Sequence, residues 1–403
     1  MSVAPAVTLR GRRASRIRPE LDGLREVLEQ LGNPQGAYPS ILIVGTNGKG
    51  STAIMLDAIL RAHGLTTGLF TSPHLIRVEE RVRVNGVPVT EGEFSRALAP
   101  LDAFPDLTYF ETVTAAALTL FAEARVEVAI LEAGMGGSWD ATRLAESAVA
   151  GLTNVGTDHR DWLGSSRAEI ARDKGRALAA ADRAVIGDGV SRDLRDAVDA
   201  PAAVLARSLV HSEDLGNGQV KLGWNGEVIA LAPPLPGSFQ ADNAQLAVAL
   251  ALQAVDLGWI PALDHSVVRE ALREVRWPGR LSRHLLGGRE VLVDCAHNLE
   301  AASALADYLA GLDRRYNLLF SCLDDKPVEE MAALLRPRVG EVAVCPLVDE
   351  RAMPLDRLAR AFPGSMRAGT ALEGIGALPD PIVAAGSLRL AGEILIHSEE
   401  VKS

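Results

Sequence analysis

Cysteine is nearly absent from this chain of 403 residues. Its three thiols, Cys295, Cys322 and Cys345, are odd in number, widely spaced, and set in or just beyond apolar strand-like runs. That pattern excludes a disulfide framework and a thiolate zinc site, and fits buried thiols in a reducing cytoplasm. Long apolar runs are missing too: none approaches about 18 residues, so no segment is expected to cross a bilayer. The start has no basic stretch leading into an apolar one. It carries Arg10, Arg12, Arg13, Arg16 and Arg18 instead, read as a loose basic terminus. Basic charge is short overall: 41 Lys and Arg against 52 Asp and Glu leave a net −11, which argues against a nucleic-acid partner. An anionic small molecule stays open, because a phosphate site needs only a local field. No internal repeat or low-complexity tract is present.

What is present is an alternation of apolar strands and helical patterns over nearly the whole length, which argues for α/β architecture with mostly parallel sheets. The length exceeds one typical core, so two domains are expected. Residues 20–32 read as a helix ending at Gly32-Asn33-Pro34. Strands are expected at 41–44, 67–70, 126–131 and 149–155, a helix at 111–123, and antiparallel hairpins over 205–235. The pattern restarts near Trp277-Pro278-Gly279. Strands follow at 290–294, 317–322, 341–345 and 381–385, with helices at 300–312, at 328–338 and after Ser387. No long exposed apolar helix demands a partner, so a monomer is expected.

The most informative segment is Ile41-Leu42-Ile43-Val44-Gly45-Thr46-Asn47-Gly48-Lys49-Gly50-Ser51-Thr52. It reads as a buried strand, a glycine-rich turn holding a lysine, and hydroxyls opening a helix supported by Met55, Leu56, Ile59 and Leu60. Backbone N–H groups curled by the glycines, the helix N-terminus and the Lys49 charge together make a polyphosphate cradle. A hydroxyl from Ser51 or Thr52 can face a magnesium ion. The loop is shorter than the usual G-x-x-x-x-G-K-[ST] pattern, and the bland alternative is an ordinary Gly/Asn turn. Three further clusters follow strand-like runs: Thr71-Ser72-Pro73-His74, Glu132-Ala133-Gly134-Met135-Gly136-Gly137 and Thr157-Asp158-His159. In open α/β sheets ligands gather at such carboxyl ends. A hydroxyl, a carboxylate and an imidazole beside a triphosphate suit Mg²⁺. Against this, Glu132 alone could be a strand-end cap and His159 a hydrogen-bonded loop residue. Ser166 and Glu169 form a capping-box pattern opening a helix on which Lys174 shares the apolar stripe of Ile170 and Leu178. Lys174 is either a snorkelling lysine or a buried amine of lowered pKa, able to become a carbamate.

The segments Gly45–Ser51, Thr71–Leu75, Glu80–Gly86, Phe110–Thr112, Glu132–Thr142, Asp158–Gly164, Asp294–Asn298 and Gly386–Glu393 together resemble folylpolyglutamate synthase/dihydrofolate synthase, of the Mur ligase superfamily. The resemblance runs in order from Leu31 to Glu393. It implies a P-loop-containing α/β ATPase domain with a mostly parallel sheet over 1–276, and a smaller C-terminal Rossmann-like α/β glutamate-ligase domain over 277–403. By matching positions, Ser72, Glu132 and His159 would be magnesium ligands, joined by a carbamylated Lys174 at a second ion. Thr46, Asn47, Gly48, Lys49, Gly50 and Ser51 would hold the phosphates of ATP, with Asn243, Arg280, Asp294 and His297 at the nucleotide. Thr108, Tyr109, Phe110, Glu111, Trp139, Asp140 and Ala141 would line the pterin pocket. The chain departs from the family at Ser138-Trp139 (often Arg-Leu), Arg143 (often Asn), Gly175 (often Ala), Phe239 (often His) and Leu299 (often Pro).

The resemblance implies that ATP phosphorylates the carboxylate of dihydropteroate or a reduced folate, and that L-glutamate then attacks the acyl phosphate. Two rivals are a Mur-type ligase acting on a different acceptor and an ATP-binding sensor that ligates nothing. The first helix runs directly into the loop-bearing strand, with no room for a nucleotide-sugar domain of about 100 residues. This favours a folate acceptor over a peptidoglycan-like one.

Overall fold

The computed structural model describes Leu9, Arg12 and residues 18–215 and 219–400. Its first sheet is built from β1 (Ser40–Val44), β2 (Thr67–Phe70), β3 (Val82–Val84), β4 (Val87–Pro88), β5 (Val128–Glu132), β6 (Val149–Leu152), β7 (Arg183–Ile186) and β8 (Val204–Leu205). The order across the sheet is β4-β3-β2-β5-β1-β6-β7-β8. Neighbours from β2 to β8 run parallel, and only the β2–β3 and β3–β4 pairs are antiparallel. β1, β5 and β6 are buried along their whole length, as apolar strands covered on both faces must be. Three antiparallel strands, β9 (His211–Asp214), β10 (Val220–Trp224) and β11 (Glu227–Leu231), form the hairpins expected from the 205–235 pattern.

The first six helices are α1 (Asp22–Gln30), α2 (Lys49–Ala62), α3 (Glu91–Leu98), α4 (Tyr109–Glu123), α5 (Arg160–Leu163) and α6 (Arg167–Ala179). α2 is buried continuously from Gly50 to Leu60, more than the one face its spacing suggested, because it packs both on the sheet and on the helix Gln240–Asp256. α6 opens with the expected capping box, the Ser166 hydroxyl accepting from the Glu169 N–H. On it, Gly175 stands where alanine is usual in the resembling family, and the packing explains why. A Cβ there would lie 1.5 Å from the carbonyl oxygen of Val198, in the turn Asp196–Val198 against which α6 rests. Gly175→Ala should therefore lower the melting temperature by roughly 3–10 °C. A thermal melt unchanged within about 1 °C would show that the turn yields freely.

The chain divides into two compact units. One is Met1–Pro234 with Gln240–Val275, and the other is Leu235–Phe239 with Arg276–Ser403. The second unit thus takes in a short segment that a single break in the sequence does not reveal. Its sheet contains β12 (Ser282–Leu286), β13 (Arg289–Val293), β14 (Asn317–Phe320), β15 (Val342–Val344), β16 (Met366–Arg367), β17 (Ile382–Ala385) and β18 (Glu399–Glu400), in the order β16-β15-β14-β17-β13-β12-β18. The sheet is mixed: five parallel strands carry an antiparallel edge of β12 and β18. Its core gathers Leu292, Leu318, Phe320, Val344 and Val383, and Phe239 packs against it. All three cysteines are free and buried, and burial pushes each thiol up to about 12.

Further sequence expectations change. The strand expected over 149–155 ends at Leu152, and the one expected over 317–322 ends at Phe320. The basic terminus is not loose at Arg12, whose guanidinium donates to the carbonyls of Leu101, Phe104 and Leu107 and to the Thr112 hydroxyl at 2.7–3.0 Å. Arg10, Arg13 and Arg16 lie outside the described residues. Among the described residues no helix is long and apolar enough to cross a membrane.

Candidate active site

Four neighbouring strands of the first sheet, β2, β5, β1 and β6, end side by side. Their registers pair Phe70 with Leu131, Ile43 with Glu132, and Val44 with Leu152. The residues that follow are Thr71-Ser72, the chain after Glu132, the glycine–lysine loop, and the segment leading to His159. With neighbouring strands about 4.8 Å apart, this carboxyl edge is about 14 Å wide. The chain crosses from one side of β1 to the other here, the place where open α/β sheets take ligands.

The loop from Gly45 to Gly48 is held from β6. Asn154 accepts from Thr46 N–H with its carbonyl at 3.1 Å and from Asn47 N–H with its side chain at 2.9 Å. The Thr153 hydroxyl donates to Asn47 O at 2.6 Å, and Gly156 N–H donates to the Thr46 hydroxyl at 2.8 Å. Thr153 N–H still donates to Val44 O at 3.0 Å, so it is the side chains of Thr153 and Asn154 that turn to the loop, directly after β6 ends at Leu152. Gly48 has φ +83°, and a Cβ there would lie 2.3 Å from Asn243 Oδ1, so a side chain is excluded on both counts. Asn243, the expected nucleotide contact, thus sits directly against the loop. Its amide donates to Gln240 Oε1, and Thr52 turns its hydroxyl toward it at 3.5 Å. Gly50 and Ser51 lie buried in the first turn of α2.

Two lysines converge on one carbonyl. Lys174 Nζ donates to Gly45 O at 2.9 Å, and Lys49 Nζ to Gly45 O and Thr46 O at 3.3 and 3.2 Å. Lys174 is 2% exposed, and burial, followed by the Lys49 charge, lowers its pKa to about 7. The amine on the apolar stripe is therefore a buried amine and not a snorkelling one, since its head points inward.

Glu132 is 5% exposed and accepts from Ser72 N–H at 2.9 Å, so structure joins those two expected ligands directly. It caps a backbone group, and does so at the edge of the loop. His159 is the N-cap of α5 with φ 60°, exposed, its Nε2 3.9 Å from Asp158 Oδ2. Among the described residues no group of three or more His, Cys, Asp or Glu is placed to hold a metal. The expected set would bring one carboxylate and one imidazole, with hydroxyl and carbamate oxygens beside them. That suits a hard cation keeping much of its own water and bound partly through phosphate.

The expected acceptor residues fall on two elements of the same unit. Thr108 caps α4: its hydroxyl accepts from Glu111 N–H, while Glu111 Oε2 accepts from Thr108 N–H at 2.7 Å. Glu111 is buried, and its Oε1 has no hydrogen-bond partner. Tyr109 and Phe110 are half-buried; Arg81 lies 5.3 Å over the Tyr109 ring, and Phe110 packs on Phe70. After β5, Asp140 accepts from the N–H groups of Met135 and Thr142 and from the Thr142 hydroxyl, with Ala141 buried behind it. Burial raises the Asp140 pKa against those bonds. The half-buried Trp139 ring is 6.4 Å from Trp162.

Arg280, Asp294 and His297 belong to the second unit. Asp294 is buried, which raises its pKa against the pull of Arg280, and it accepts from the N–H groups of Leu281 and Ala296. His297 Nδ1 lies 2.8 Å from Cys295 O. Asn298 caps the helix Leu299–Ala310. The sequence reading missed Thr153, Asn154 and Arg81. A polar Thr-Asn pair breaking an apolar strand was the one visible signal.

Residues 43–251 match the Mur ligase middle domain, and residues 279–389 match the Mur ligase glutamate ligase domain. The dihydrofolate synthase/folylpolyglutamate synthase of Mycobacterium tuberculosis is 36% identical over 381 residues, covering 86% of this chain and 78% of that protein. Among solved structures, Escherichia coli FolC in complex with DHPP and ADP superposes with a TM-score of 0.85 at 27% identity, over 96% of this chain and 95% of that one. A bifunctional folylpolyglutamate synthase/dihydrofolate synthase with Mn, AMPPNP and L-glutamate bound gives 0.82 at 28% identity, over 95% of each.

Proposed function

The chain belongs to the dihydrofolate synthase/folylpolyglutamate synthase family of Mur-type ligases, and from that premise we propose how its residues join L-glutamate to a pterin or folate carboxylate. It is an ATP-dependent acid–amino-acid ligase. The observation that carries the residue assignment is the edge of four adjacent strand ends, where a phosphate-type loop stands between a buried carboxylate and a histidine loop.

A carboxylate does not acylate an amine in neutral water, because its leaving group is poor. Here the acceptor carboxylate attacks the γ-phosphorus of ATP and ADP departs. The glutamate nitrogen then attacks the acyl phosphate carbon, loses a proton, and phosphate leaves. Lys49 moves from the loop carbonyls to the outer phosphates, where its charge offsets that of the transferring group. Loop N–H groups from Gly48 to Ser51 are assigned to the remaining phosphate oxygens, while Thr46 and Asn47, whose N–H groups donate to Asn154, shape the loop around them. With Thr52 turned to Asn243, Ser51 is the hydroxyl assigned to the loop-bound ion. Two magnesium ions, when bound, supply charge neutralisation at the phosphoryl group. Ser72, Glu132, His159 and Lys174, with Ser51 at the loop, are the side chains assigned to hold them. The neutral Lys174 amine takes up carbon dioxide with release of a proton, giving a carbamate that puts an anionic oxygen where the uncharged amine stood. Thr108, Tyr109, Phe110, Glu111, Trp139, Asp140 and Ala141 are assigned to the acceptor, and Asn243, Arg280, Asp294 and His297 to the nucleotide. The functional break is placed near Trp277, with glutamate handled by the second domain. The protein is placed in the cytoplasm as a monomer without nucleic-acid or membrane partners.

A phosphate-release assay tests the reading. Release that requires dihydropteroate and L-glutamate together is expected. Release that needs neither marks an ATP-hydrolysing protein that ligates nothing, and none with both overturns the folate acceptor. Running tetrahydrofolate beside dihydropteroate decides between first addition and chain extension.

A further inference from the structure

Asp173 is half-buried on α6, and both of its carboxylate oxygens are taken by one short loop. Oδ2 accepts from Gly137 N–H at 2.9 Å, and Oδ1 accepts from the Ser138 hydroxyl. The next residue of the helix, Lys174, reaches Gly45 O. Two consecutive residues of one helix therefore grip both the glycine-rich loop after β5 and the phosphate loop after β1. The contact extends to the backbone: a Cβ on Gly137 would lie 2.8 Å from Lys174 Cα and 2.9 Å from the carbonyl oxygens of Asp173 and Lys174. Arg143 steadies the same loop by donating to Ser138 O at 2.6 Å. Ser138 and Arg143 are thus both parts of this brace.

A helix-surface aspartate ordinarily meets solvent, and the spacing of α6 sets Asp173 off its apolar stripe. Here its donors come from residues 35 and 36 positions earlier in the chain, and hydrogen bonds to an ionised acceptor are roughly twice as strong as neutral ones. We propose that Asp173 is a positioning residue, which fixes where Trp139 and Asp140 stand relative to Lys174 and so sets the fit of the acceptor. The acceptor part rests on the function proposed above; the brace itself does not.

The test compares Asp173→Ala with Asp173→Asn, whose amide oxygen still accepts from Gly137 and whose NH₂ can donate to Ser138 Oγ. In Asp173→Ala the KM for dihydropteroate should rise about 10-fold or more while the KM for ATP stays within about 2-fold, because misplacing a bound substrate by an ångström is costly. Asp173→Asn should return the acceptor KM to within about 3-fold of wild type. On ligand-free protein, acrylamide quenching attributed to Trp139, from the difference against Trp139→Phe, should rise in Asp173→Ala and not in Asp173→Asn. Should Asp173→Ala not fold, Ser138→Ala removes one of the two bonds and should give an intermediate rise. Unchanged quenching overturns the brace, and an equal rise of both KM values overturns the acceptor-specific role. The quenching arm needs no turnover, so failure of the brace and failure of the ligase reading are distinguishable.

Discussion

Glu132→Gln should reduce amide formation by about 1,000-fold or more, roughly 4 kcal/mol of transition-state stabilisation, while leaving the fold intact. The substitution is nearly isosteric. The amide oxygen can keep the bond from Ser72 N–H that the carboxylate now accepts at 2.9 Å, so the cap survives. What disappears is one negative charge at the end of β5, level with the phosphate loop through the pairing of Ile43 and Glu132. Initial rates and a thermal melt separate the two roles. Near wild-type turnover in Glu132→Gln would reduce Glu132 to a cap and withdraw it from the metal set.

Lys174→Ala carries the second large effect. Turnover should fall by about 100-fold or more, and acetate or propionate should restore part of it, because a free carboxylate can occupy the position of the carbamate. Full activity without added acid would remove the carbamate from the scheme. The amine also leaves a pH signature in CO₂-depleted buffer. Its pKa is about 7 in the folded protein against 10.5 for the ordinary side chain. Between those values the unfolded chain binds more protons than the folded one, so stability rises with pH across that window. Below it the lysine is charged in both states and its full burial penalty is felt. Lys174→Met should lack this rise, and denaturant unfolding at about pH 6.5 and 9.5 measures the difference.

Much of the first sheet was legible because each strand end announces itself: an apolar run stops and glycine, hydroxyl or carboxylate follows. The capping box at Ser166 was equally local, whereas the one at Thr108, with the same hydroxyl–carboxylate spacing, was not read and its helix was expected to start at Glu111. The helix Gln240–Asp256 escaped notice since it is buried almost all round, and a helix without a polar face has no 3.6-residue alternation to read. β12 was hidden by its mixed Ser-Arg-His-Leu composition at an antiparallel edge. Asn154 and Asp173 act through partners 35 or more positions away, and no local pattern encodes such pairings. The lowered pKa of Lys174 was only half visible: spacing placed it on the apolar stripe, but the second lysine at Gly45 O is a matter of tertiary placement.

Arg12 makes a residue ahead of the first helix part of the working molecule. One guanidinium closes the turn that leads into Thr108, drawing on three carbonyls and a hydroxyl about a hundred residues downstream. A preparation trimmed to begin at the first helix would leave those acceptors to solvent, so the choice of start point in expressing this enzyme is also a choice about how firmly the entrance to α4 is tied.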